Sequence, residues 1–182
     1  MTLRRRVHQV LIGASQGDAV TGMALALRDG LREHFDSDVY ALWRHGHEME
    51  RECRSIDDMP LTSGADLLVY HLSIGYREMH DWLMAREEPL AISYHNVTPS
   101  SFYRAHNPEF ADDLDLGRRE IMELRNRVVL AVADSDFNKT DLVAAGYENV
   151  HVIPAGFSPS RLVEEPYDPH LLASMNSRYP NG

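Results

Sequence analysis

The chain has 182 residues, of which 43% are hydrophobic and 25% charged, which suits one folded α/β domain with a short tail and excludes a disordered chain. A net charge of −10 excludes non-specific attraction to nucleic acid or anionic lipid as the main activity. Cys53 is the only cysteine, which excludes an internal disulfide. The sequence has neither a signal peptide nor an apolar run of about 18 residues, so we expect a cytoplasmic protein.

Apolar runs and helical periods alternate along the chain. The first strand is predicted at Val7–Gly13, and from Val20 a stripe of Met23, Leu27 and Leu31 predicts a helix with one face in the core. Further strands are predicted at Val39–Trp43, Ala65–His71, Leu90–His95, Val128–Ala133 and Val150–Ile153. Further helices are predicted at Gly75–Arg86, Phe110–Asn126 and Phe137–Ala145.

Three segments are less regular. Arg44–Ser63 is polar, and we predict a long connection that holds one short strand. Thr98 followed by Pro99 is typical of a helix start, with threonine as the N-cap. After Leu162 the chain becomes acidic and proline-containing, which predicts one domain over residues 1–162 and a linker over residues 163–182.

Strands that alternate with helices predict a doubly wound, mainly parallel sheet with helices on both faces. In such sheets ligands bind outside the carboxyl ends of the strands. The polar and glycine residues at the ends of the predicted strands are therefore candidate site residues: Gly13, Ser15, Gly17, Asp18, His71, Ser73, His95, Asn96, Asp134 and Ser135.

The loop Gly13–Asp18 is not the dinucleotide-binding fingerprint, because its glycines have the wrong spacing. Glycines at this place let backbone N–H groups approach a phosphate or sugar closely. The same residues match the nucleophile elbow of α/β-hydrolases, with Ser15, Asp134 and His151 in the order of a triad. That elbow normally follows several strands, whereas Ser15 follows the first, so the hydrolase is the weaker hypothesis.

His95 ends an apolar strand, where an imidazole can exchange a proton or bind a sugar hydroxyl, and His71 takes the same place on the strand before it. The trio Asp134, Ser135 and Asp136 also fits N-cap chemistry for the next helix. Both interpretations of the trio stay open on the sequence alone.

Four segments together resemble the N-terminal domain of the retaining glycosyltransferases of family four, which have the GT-B fold with Rossmann-like domains. They are Asp66–Gly75, Ile92–Pro99, Ala133–Asn138 and Asn149–Gly156. Their order and spacing match that family, and the similarity runs from about Val7 to Leu162.

This resemblance implies an enzyme that transfers a sugar from a nucleotide-diphosphate donor to an acceptor, in carbohydrate biosynthesis. The Gly13–Asp18 loop would face the donor's diphosphate and the acceptor, and His95 would be the catalytic residue that contacts the transferred sugar. No cofactor and no metal ion are implied. The implied partners are the donor and a sugar, glycan or lipid-linked acceptor, with no nucleic acid and at most peripheral membrane contact.

Two departures from the family qualify the resemblance. The family's Pro-Asn-Gly-Val-Asp appears here as Pro154–Ser158 (PAGFS), and nothing matches the motifs of the second, donor-binding domain. We therefore expect an acceptor-side half that lacks its C-terminal domain and is inactive alone. A GT-B nucleotide-sugar epimerase and a non-enzymatic Rossmann-like binding module are the alternatives.

Overall fold

Seven parallel strands form one sheet in the computed structural model, which describes residues 4–60, 66–155 and 167–180. The strand order is β3-β2-β1-β4-β5-β6-β7. The strands are β1 (Val7–Ser15), β2 (Val39–His45), β3 (Arg54–Ser55), β4 (Leu67–Leu72), β5 (Leu90–Tyr94), β6 (Val128–Ala133) and β7 (Val150–Val152). The helices are α1 (Ala19–Leu31), α2 (His47–Glu52), α3 (Arg77–Met84), α4 (Pro108–Leu124), α5 (Asp136–Ala144) and α6 (Pro169–Arg178).

Helices cover both faces of the sheet, so the predicted doubly wound, parallel α/β fold is confirmed. Side chains alternate between faces along each strand. On one face of the sheet, Val10 belongs to a core cluster with side chains of α3, α4 and α5. On the other face, the next residue, Leu11, belongs to a cluster with side chains of α1 and α2. The larger core cluster lies on the first face and includes three fully buried tyrosines: Tyr40, Tyr70 and Tyr94.

The face that carries α1 is only partly covered. α1 packs against β1 and β2, while a cavity of about 440 Å³ remains open over β4, β5 and β6. The stripe of Met23, Leu27 and Leu31 lines this cavity, and Leu27 is 41% exposed. The prediction that this stripe is core holds in part: Leu31 packs against the buried cluster of Val7, Val69 and Ala91, whereas Leu27 is exposed at the edge of the cavity.

Two connections differ from the prediction in detail. The segment after β2 holds the short strand that was predicted, but it also holds α2, whose first turn is acidic. Thr98 and Pro99 do not begin an α-helix and precede a short 3₁₀ turn at Ser100–Phe102. The cap is instead Asn107, whose side chain accepts from the N–H of Phe110, with proline next in the first turn of α4.

The loop after β4 lies directly against α4 at a pair of glycines. A Cβ on Gly75 would stand 2.1 Å from the backbone nitrogen of Gly117. The N–H of Gly75 donates to the carbonyl of Asp113 at 3.1 Å, and the N–H of Tyr76 donates to Glu120 at 3.1 Å. Only glycine fits at such a backbone approach, and the contact positions the end of β4 against the helix that follows β5.

The tail after the sheet contains one described helix, α6. The predicted domain boundary at Leu162 lies outside the described residues, so residues 1–162 and 163–182 remain a predicted division. None of the described helices is long and apolar enough to span a lipid bilayer.

Candidate functional site

The strand register brings the candidate residues of three strands side by side. Leu72 pairs with Tyr94, and Tyr94 pairs with Ala133, so these three residues end their strands at the same edge of the sheet. The residues that follow them, Ser73, His95 and Asp134, therefore stand together at the carboxyl edge. This is the edge where the sequence pattern predicts a site.

His95 and Asp134 form a hydrogen-bonded pair at this edge. The Nδ1–H of His95 donates to Oδ2 of Asp134 at 2.8 Å. The side chain of His95 is only 3% exposed, whereas that of Asp134 is 19% exposed. The backbone N–H of His95 also donates to the carbonyl of Leu72 at 2.9 Å, which anchors the residue to β4. Asp134 is therefore the member of the pair that faces solvent.

His71 lies behind His95, in the interior. Its Nδ1 is 2.8 Å from Nε2 of His95, and its own Nε2 is 2.8 Å from Oε1 of Gln9. The two imidazole planes are 4° apart. Burial, together with the neighbouring His95, lowers the pKa of His71 to about 3, so this ring is neutral at physiological pH.

Gln9 is the site residue that the sequence analysis missed. It stands inside the apolar run of β1, is fully buried, and reaches His71 across the β1–β4 pairing. A signal was present, because a glutamine within a strand buried on both faces needs a polar partner. The partner is 62 residues away along the chain, so the sequence does not name it.

The loop after β1 is built mainly by local hydrogen bonds. Gly17 has φ +79°, a left-handed conformation that favours glycine. Asp18 is the N-cap of α1 and accepts from the N–H and the hydroxyl of Thr21, both at 2.7 Å. The predicted loop began at Gly13, but β1 and its pairing with β2 continue to Ser15, so only the end of that segment is loop. A Cβ on Gly13 or Gly17 would meet nothing within 4 Å. The loop thus leaves room for a ligand, as the prediction requires, while Asp18 has a structural role.

The remaining predicted residues lie at the same edge with different surroundings. Ser73 is half-buried. Asn96 has φ 71°, and its Oδ1 is buried without a hydrogen-bond partner among the described residues. Ser135 is the N-cap of α5 and accepts from the N–H of Asn138, as the N-cap interpretation of the acidic trio predicts. Asp134, by contrast, is hydrogen-bonded to His95 and does not cap the helix.

The described residues do not form the serine-hydrolase triad. The carboxylate of Asp134 pairs with His95, while His151 is exposed on β7. In the part of the chain that the structure describes, Ser15 has a hydrogen bond through its backbone N–H to Thr21, and none joins it to a histidine. No group of three or more His, Cys, Asp or Glu in those residues is arranged to hold a metal ion.

His95 and Asp134 line the 440 Å³ cavity on the α1 side of the sheet. Its walls are aliphatic side chains from α1 and the strands, and its titratable lining groups among the described residues are His71, His95 and Asp134. A polar cluster at one end of an apolar cavity is the usual composition of a small-molecule site.

Comparison with known proteins identifies a shared architecture. The chain is similar to Anabaena Alr3699/HepE in complex with UDP-glucose, with a TM-score of 0.55 and 13% sequence identity over 96% of this chain and 50% of that one. The fold is that of one half of Alr3699/HepE. A second structure of that protein, in complex with UDP and glucose, has a TM-score of 0.46 and 14% identity over 97% of this chain and 50% of that one. No family model and no curated protein matches the chain.

The likeness to Alr3699/HepE establishes the fold of this chain, a Rossmann-like α/β domain. This chain spans about half the length of Alr3699/HepE.

Proposed function

We propose that this chain is the acceptor-side domain of a retaining GT-B glycosyltransferase, which moves a sugar from a nucleotide-diphosphate donor to a sugar, glycan or lipid-linked acceptor. Residues 1–162 would form that domain and residues 163–182 a linker toward a C-terminal donor-binding domain. The observation that carries the proposal is the His95–Asp134 pair at the carboxyl edge of a parallel sheet. The likeness in fold to a protein crystallised with UDP-glucose supports it.

In this proposal His95 and Asp134 act as one unit. Both ring nitrogens of His95 already have hydrogen-bond partners, so the carboxylate of Asp134, which is 19% exposed, is the group best placed to accept from a sugar hydroxyl. His95 holds that carboxylate in position and offers positive charge to the departing diphosphate when it is protonated. The open space beside Gly17 leaves room for the diphosphate near the N-terminus of α1.

The proposal is tested with the protein at its natural length and UDP-glucose or GDP-mannose as the donor. We expect sugar transfer with retained anomeric configuration, observed by NMR of the product, and no turnover by residues 1–182 alone. Asp134→Asn should lower kcat/KM by about 100-fold or more, because it removes a charged partner of the reacting sugar. Asp136→Asn is the matched control, since Asp136 is an exposed acid two residues away.

Each alternative has its own outcome in this experiment. An altered free sugar nucleotide with no transferred sugar would favour the GT-B epimerase. Full activity of residues 1–182 would refute the half-enzyme proposal. Labelling by a fluorophosphonate that Ser15→Ala abolishes would favour the hydrolase. If Asp134→Asn and Asp136→Asn transfer sugar equally well, the assigned site is wrong.

A further inference from the structure

Four residues from four strands form one continuous hydrogen-bond chain at the candidate site. The chain runs from Gln9 on β1 through His71 on β4 and His95 after β5 to Asp134 after β6. Its three heavy-atom distances are all 2.8 Å. Gln9 and His71 form the buried end, with 0% and 3% exposure, and Asp134 forms the solvent-facing end.

Each contact in this chain needs one proton between its two atoms, and this requirement permits two arrangements. In both, Asp134 as a carboxylate accepts from Nδ1–H of His95. When His95 is neutral, its Nε2 accepts from Nδ1–H of His71, and Nε2 of His71 must then accept from the amide NH₂ of Gln9. When His95 is an imidazolium, its Nε2–H donates to Nδ1 of His71, and Nε2–H of His71 donates to the carbonyl of Gln9.

His71 stays neutral in both arrangements and only changes tautomer. Its burial agrees with this, since a buried imidazolium beside a second histidine is strongly disfavoured. Gln9 can pair with either tautomer of His71, because an amide has a donor NH₂ group and an acceptor oxygen. In the structure Oε1 of Gln9 faces His71, and its Nε2 has no hydrogen-bond partner among the described residues. No described partner therefore opposes half a turn of the amide.

We propose that Gln9 and His71 are positioning residues that let His95 gain or lose a proton while every buried contact of the four-residue chain stays paired. A proton arriving at His95 reverses the direction of the hydrogen bonds as far as Gln9. Its use in sugar transfer rests on the proposed function, while the device itself depends only on the four side chains.

The groups around His95 make this series of hydrogen bonds its main route for gaining or losing a proton. Among the described residues that line the cavity, β4 contributes His71 and the segment after β6 contributes Asp134 as titratable groups. α1 contributes only apolar side chains to that lining, and the segment after β7 contributes Ile153, Pro154 and Ala155. Asp134 is the one acidic side chain among these lining residues.

The test is the tautomer of His71, read from long-range ¹H–¹⁵N spectra of the chain at a pH where His95 is neutral and at a lower pH where it is protonated. In the unmodified protein we expect His71 to change from the Nδ1–H to the Nε2–H tautomer in step with protonation of His95. Gln9→Glu should hold His71 in the Nε2–H tautomer at both pH values, because a carboxylate only accepts. Gln16→Glu, at an exposed glutamine, should leave the tautomer change as it is.

Two results would overturn the proposal. One is a His71 that keeps a single tautomer while His95 gains its proton, and the other is a His71 that becomes doubly protonated in this range. Both results would be measured on the unmodified protein, so the test remains decisive if Gln9→Glu does not fold. Neither involves a sugar, so failure of this proposal and failure of the glycosyltransferase proposal are observed separately.

Discussion

His71 is a histidine that the fold keeps neutral by burying it between strands. Its pKa in the folded chain is lowered to about 3 from the ordinary value of 6.5, chiefly by burial. Below pH 6.5 the unfolded chain takes up a proton at this residue that the folded chain does not. The contribution of His71 to stability is therefore complete above pH 6.5 and is lost as the pH falls toward 3.

We expect the free energy of unfolding to fall by about 1.4 kcal/mol per pH unit below the ordinary histidine pKa on account of this residue. Urea unfolding at about pH 7 and about pH 5 measures this change in stability with pH. His71→Gln should reduce the change by about 1.4 kcal/mol per pH unit, because one proton fewer is taken up on unfolding. The pKa of His8 is also lowered by burial, but His8 is present in both proteins and cancels in the comparison. Equal slopes for the two proteins would contradict the expectation.

At the scale of elements, the position of α4 depends on a backbone contact that admits no side chain. Gly75 after β4 and Gly117 in α4 approach so closely that a Cβ on either meets the other's backbone. The contact joins the loop after β4 to the helix that links β5 and β6. A helical periodicity predicts that α4 exists, but not that its middle rests on a loop more than thirty residues earlier.

Gly75→Ala should destabilise the chain by about 3 kcal/mol or more, because backbone atoms cannot yield as a flexible side chain does. The control is Gly22→Ala on the exposed side of α1, where a Cβ meets nothing within 4 Å. That change should stabilise by about 0.5–1 kcal/mol, since alanine favours the helix. Urea unfolding of both variants measures the two effects. Similar stabilities of the two variants would show that the glycine contact does not hold α4.

At the scale of the whole molecule, the sheet is covered unevenly. Among the described residues, α3, α4 and α5 pack on one face, while α1 and α2 cover only part of the other. The open part is the 440 Å³ cavity, whose margin includes Leu27 and Ile153, 41% and 59% exposed. An apolar cavity of this kind is expected to take up apolar molecules from water.

We expect the chain to bind the dye 8-anilinonaphthalene sulfonate in this cavity. Replacing both Leu27 and Ile153 by Gln should weaken binding about thirtyfold, because each aliphatic contact contributes on the order of 1 kcal/mol. The matched control replaces Phe102 and Phe137 by Gln, two exposed side chains that do not line the cavity. A fluorescence titration measures both affinities. Equal losses in the two double variants would show that the dye binds elsewhere.

Local patterns determined most of the architecture. Largely apolar runs such as Leu90–Tyr94 are strands because both faces of a parallel sheet are buried there, and Ser135 caps α5 because a serine side chain satisfies a free N–H. From the alternation of strands and helices follow the parallel sheet and the edge where His95 and Asp134 stand. These features could be predicted because each depends on residues close together in the sequence.

The pairing of particular side chains and the coverage of the sheet were decided only by the tertiary structure. Gln9 meets His71 because β1 and β4 are neighbours in the sheet, and the sequence of either strand alone does not state that register. Leu27 in the stripe of α1 borders a cavity because no described element packs over it, although the apolar pattern of the stripe is that of a core helix. A sequence states which surfaces are apolar or polar; the three-dimensional packing decides which of them meet, because contacts between distant segments depend on the whole fold.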